Sequence, residues 1–124
     1  MRVLLDTHVL LWALSAPSRL PAAARRVIND SDVFVSAASI WEISIKSSIG
    51  KLTADPQEVL AALEPAGFRS LPIVGEHAAY VSRLPAIHRD PFDRLLVAQA
   101  LTEPMRLLTD DAILRGYGDV VTVV

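Results

Sequence analysis

Short apolar runs alternate along this chain with helix-forming stretches, and that alternation restricts the fold more than any other feature. Residues 3–6 are too few for a helix and end abruptly at Asp6. Residues 33–36, 68–73, 106–108 and 120–124 read as further strands. Between them, helices are expected over 7–14, 21–29, 39–49, 55–64, 76–84 and 90–102, with a helical turn over 112–115. The punctuation supports the boundaries. Pro21 suits a first helical position, Ser39 a cap, and Gly50 a stop. Asp55-Pro-Gln-Glu58 is a capping box with proline at its first position, and Asp90-Pro-Phe-Asp93 repeats the device. Strands joined by helices form βα units, so a mainly parallel sheet covered on both faces follows.

A chain of 124 residues with 52% apolar content has material for one core, and a single domain spanning 1–124 is expected. With no cysteine, disulfide scaffolds, thiolate catalysis and cysteine-based zinc sites are excluded, and a cytoplasmic location fits. No apolar run approaches the ~20 residues of a membrane span. The N-terminus imitates a signal peptide, but Asp6 and His8 interrupt it. The net charge of −2 does not resemble that of a nucleic-acid binder. Setting aside Asp6, Glu42, Asp93 and Asp111 turns it to +2, and ten of the twelve basic residues are arginine, the better fork for phosphate. Arg89 and Arg94 flank the third acid and are candidate substrate contacts, although a structural pairing explains either one alone.

The acids recur at strand-to-helix junctions or in first helical turns. In parallel sheets those junctions share one edge, where ligands bind beyond the carboxyl ends of the strands. A carboxylate directly after a buried strand is costly unless paired or metal-bound, which favours a functional Asp6, since Thr7 alone suffices as a cap. Glu42 alone reads as structural, part of a Ser39–Glu42 capping box with Lys46 placed for an ion pair. Ile45 and Ile49 on its helical face nevertheless set it against the core. Asp90 is the better cap of its helix, leaving Asp93 beside Leu96, Val97 and Ala100 in need of another role. Spacing does not decide whether Asp110 or Asp111 faces the site. Four gathered carboxylates repel one another unless a cation joins them. Mg²⁺ or Mn²⁺ takes such oxygen ligands, and a metal-activated water is suited to phosphate chemistry. Neither His8 nor His88 is required as a base.

Val3-Leu-Leu-Asp-Thr-His-Val-Leu-Leu-Trp12, Ser39-Ile-Trp-Glu-Ile-Ser-Ile-Lys46, His88-Arg-Asp-Pro-Phe-Asp-Arg-Leu-Leu-Val-Ala-Gln-Ala100 and Leu108-Thr-Asp-Asp111 resemble the successive blocks of a PIN domain, and more narrowly of the VapC-type toxins of bacterial toxin–antitoxin pairs. The resemblance implies a three-layer α/β/α sandwich and a Mg²⁺- or Mn²⁺-dependent endoribonuclease. It also implies a homodimer and a cognate antitoxin whose C-terminal segment covers the active groove. By position it makes Asp6, Glu42, Asp93 and Asp111 the catalytic, metal-holding acids, with Asp111 selected by the Thr-x-Asp pattern. Asp90 and Thr109 are accessory positions. Residues 51–87 carry no motif of the family. The alternative is a PIN-like module that binds RNA or a partner without cutting. Dehalogenase-type phosphatases want an acid where His8 stands, and receiver domains want an acidic pair after the first strand; neither pattern is present.

Overall fold

The computed structural model describes residues 1–124. Its centre is a five-stranded sheet in which all four pairings are parallel. The strands are β1 (Arg2–Leu5), β2 (Asp32–Ser36), β3 (Arg69–Leu71), β4 (Arg106–Thr109) and β5 (Val121–Val123), in the spatial order β3-β2-β1-β4-β5. Helices α1 (Thr7–Ser15), α2 (Ala22–Asp30), α3 (Ala37–Ser48), α4 (Pro56–Ala62), α5 (Gly75–Tyr80) and α6 (Pro91–Thr102) connect them, with 3₁₀ turns at Pro17–Arg19, Val81–Arg83 and Ala112–Tyr117.

β1 is central and buried on both faces, so alternate side chains enter different cores. Val3 and Leu5 pack with Val9, Leu10, Ile43 and Val59 on the side of α1 to α4. Leu4 packs with Leu96, Val97 and Ala100 of α6 on the other. That is the three-layer α/β/α sandwich expected. No helix is long and apolar enough to cross a membrane.

The expected helix at 76–84 is shorter, divided into α5 and a 3₁₀ turn. Pro21 sits one position before α2 rather than inside it, because its ψ of 150° is extended. The start of α3 needs a larger correction. Its cap is Ser36, whose hydroxyl accepts from the Ala38 N–H at 3.0 Å. Ser39 lies inside the helix, buried, with its hydroxyl unpartnered. Glu42 therefore falls in the second turn and plays no part in capping. Ile45 and Ile49, expected beside the core, are exposed; the buried face of α3 is Ala38, Ser39, Glu42 and Ile43.

Candidate functional site

Strand order reverses between β1 and β4, and the acids collect beyond the carboxyl ends of these two strands. Asp6 follows β1 directly, with its backbone N–H bonded to the Leu108 carbonyl of β4 at 2.9 Å. It caps α1 by accepting from the Val9 N–H at 2.9 Å, and its other oxygen accepts from the Thr109 hydroxyl. Only 3% of Asp6 is exposed. Burial pushes its carboxyl up to about 6; the bonds from Thr109 and Val9 oppose that rise and the charge of Asp110 adds to it.

Asp93 reaches the same place from the first turn of α6, which Asp90 caps by accepting from the N–H groups of Phe92 and Asp93. Its carboxyl is pushed up to about 7, first by burial and then by the charges of Asp90, Asp6 and Glu42, with His88 acting the other way. Glu42 is 6% exposed and held at both oxygens, by the Thr7 hydroxyl at 2.5 Å and the Lys46 ammonium at 2.6 Å. The Glu42 hydrogen bond raises the pKa of Lys46. Asp111 caps the turn after β4 by accepting from the Ile113 N–H, and its second oxygen lies 2.8 Å from Nε2 of His88.

Together these side chains line one polar cavity of about 230 Å³. Asp6, Glu42, Asp93 and Asp111 all face it, joined by Asp90, Asp110, Thr7, His8, Lys46 and His88. Thr109 stands behind Asp6 rather than in the lining. Six carboxylates against one lysine is a donor set suited to a hard divalent cation. Burial raises the pKa values of Asp6 and Asp93 and the neighbouring acids add to the rise; such an ion would relieve that repulsion.

Arg89 and Arg94 are absent from this lining. Arg89 is exposed. Arg94 spends its guanidinium on the carbonyls of Val81, Pro85 and His88 and on the Tyr117 hydroxyl, fastening the loop before α6. A fork committed to four acceptors is a clamp, which corrects the expectation of a free phosphate contact. His88, not required as a base, has its Nε2 also 3.5 Å from Asp93. Its position two residues before the Asp90 cap was the available signal.

A larger groove of about 690 Å³, lined by Leu11, Trp12, Leu52 and Val59 among others, meets the acidic cavity at His8 and Asp110. The sequence pattern of the PIN domain family matches residues 3–120. The chain is 35% identical over 120 residues to Ribonuclease VapC22 of Mycobacterium tuberculosis, covering 93% of this chain and 91% of that one. A crystal structure of VapBC2 from Rickettsia felis, bound to a DNA fragment from their promoter, shares the fold with a TM-score of 0.71 at 14% identity, over 100% of this chain and 98% of that one. The crystal structure of FitAcB from Neisseria gonorrhoeae does so with a TM-score of 0.64 at 23% identity, over 98% of this chain and 96% of that one.

Proposed function

The chain belongs to the PIN-domain family, and from that premise we propose that it is a metal-dependent endoribonuclease, the toxin of a toxin–antitoxin pair, which hydrolyses RNA phosphodiester bonds. One observation carries this reading: Asp6, Glu42, Asp93 and Asp111, from four separate segments, face a single polar cavity. Asp6 and Asp93 are the main holders of Mg²⁺ or Mn²⁺, and Glu42 and Asp111 complete the set directly or through water. Asp90 and Thr109 are accessory. A divalent ion, when bound, supplies an activated water nucleophile and offsets the charge that builds on the phosphate oxygens.

The protein's own groups prepare for this. Thr109 and the Val9 N–H hold the two oxygens of Asp6, and Thr7 and Lys46 those of Glu42, so both carboxylates are fixed before any ligand arrives. The Lys46 ammonium adds positive charge at the cavity wall, where a substrate phosphate must approach. In-line attack by water, leaving a 5′-phosphate, is the matching reaction. The apolar groove that opens beside the cavity suits the segment of a cognate antitoxin, and a second copy of the chain completes a homodimer in the cytoplasm. Cleavage of single-stranded RNA with Mg²⁺ tests the proposal. Asp6→Asn and Asp93→Asn are each expected to lower the rate at least ~100-fold, or about 2.7 kcal/mol. Equal cleavage by all three proteins, or cleavage that survives excess EDTA, overturns it.

A further inference from the structure

We propose that His88 is a positioning residue of the acidic site: its Nε2–H holds the Asp111 and Asp93 carboxylates toward one another, and the ring is not itself a ligand. This role rests on the nuclease reading above. Nε2 of His88 and one oxygen each from Asp93 and Asp111 lie within 4.8 Å of one another, a spacing that by itself fits a three-ligand metal site. The hydrogen bonds around the ring point elsewhere. Nδ1 of His88 accepts the backbone N–H of Asp90 at 3.0 Å. A neutral imidazole has one donor nitrogen and one acceptor nitrogen, so with Nδ1 accepting, Nε2 carries the proton. Nε2 then donates to Asp111 at 2.8 Å and leans toward Asp93 at 3.5 Å. Metal ligation by Nε2 would move the proton to Nδ1 and set two N–H groups against each other at the cap of α6.

The backbone that carries the ring is also held, at both its amide N–H and its carbonyl. The Tyr117 hydroxyl accepts from the His88 N–H at 3.0 Å and from Arg94 at 3.2 Å, and Arg94 donates as well to the His88 carbonyl. Asp111 belongs to the β4 edge and Asp93 to α6, and a donor between them ties two separately mounted carboxylates together. The ligand set is therefore all oxygen, and the histidine sets its geometry.

Long-range ¹H–¹⁵N spectra of the imidazoles test this at about pH 8, where an unperturbed ring is neutral. His88 is assigned from the signal missing in His88→Gln. The expected result is an Nε2–H tautomer that persists on Mg²⁺ addition; a shift to Nδ1–H with Mg²⁺ overturns the role. This readout uses the wild-type protein and does not depend on how a variant folds. Mn²⁺ calorimetry gives a second test. His88→Ala should bind Mn²⁺ at least ~10-fold more weakly, and His88→Gln, which keeps an N–H donor, within about threefold of wild type. Unchanged Mn²⁺ affinity in His88→Ala overturns this role alone, whereas wild-type protein that fails to bind Mn²⁺ overturns the nuclease reading beneath it.

Discussion

Asp6 and Asp93 are carboxylates that hold their protons too long. Burial comes first among the causes for both, and neighbouring acids add to it. Their folded-state values, about 6 and about 7, lie above the ordinary value of 3.8. Between pH 3.8 and about 7 the native state therefore binds more protons than the unfolded chain. The stability these two groups contribute is lost as pH rises through that window. Urea unfolding in EDTA should show a lower midpoint at about pH 7.5 than at about pH 5. Saturating Mn²⁺ should shrink the difference, because a bound cation favours the ionised forms. A pH-independent midpoint in EDTA counts against the raised values. Asp6 could be read from its single position, because a carboxylate after a buried strand needs a reason. His88 could not, because its part depends on Asp111, a residue of a distant segment.

Helix α6 combines two duties within one turn. Asp90 supplies the cap, and Asp93, three residues on, enters the site. That division was legible from sequence, since one cap needs one acid and Pro91 marks the first helical position. It predicts different consequences for different replacements. Asp90→Ala should cost about 1 kcal/mol of stability and weaken cleavage by loosening the turn that carries Asp93, whereas Asp90→Ser keeps a cap oxygen and most of both. Thermal unfolding and RNA cleavage measured together on both variants check this; equal loss of activity in the two would assign Asp90 a direct chemical role. Helix α3 shows the opposite case. Ser36 and Ser39 are both acceptable caps by type, and placing the start at Ser39 turned Glu42 into a structural residue. The strand decides, because β2 ends at Ser36 in register with Leu71 of β3, and the chain turns there.

At the scale of the whole molecule, β1 organises everything. It pairs with β2 and β4, feeds both cores, and delivers Asp6 to the point where strand order reverses. Leu4 and Leu5 are fully buried on opposite faces of the sheet. Leu4→Ala and Leu5→Ala should each cost about 3–5 kcal/mol, a large part of the ~5–15 kcal/mol that holds a domain together. Urea unfolding measures the loss, and a cost under about 1 kcal/mol for either would mean that its face of the sheet is not the core described. Local periodicity sufficed for the alternation of strand and helix and for the parallel sheet; the cost of ending a buried strand in a charge singled out Asp6, and the need of α6 for only one cap singled out Asp93, whereas Glu42 and the choice of Asp111 came from the resemblance to the family. Only the folded chain shows that Arg94 is a clamp, that Glu42 is gripped by Thr7, and that His88 stands between Asp93 and Asp111. Those roles are fixed by groups far apart in the chain, from Thr7 of α1 and Glu42 of α3 to His88 and Asp111, which precede and follow β4. Such distances exist only once the two cores have closed on the sheet.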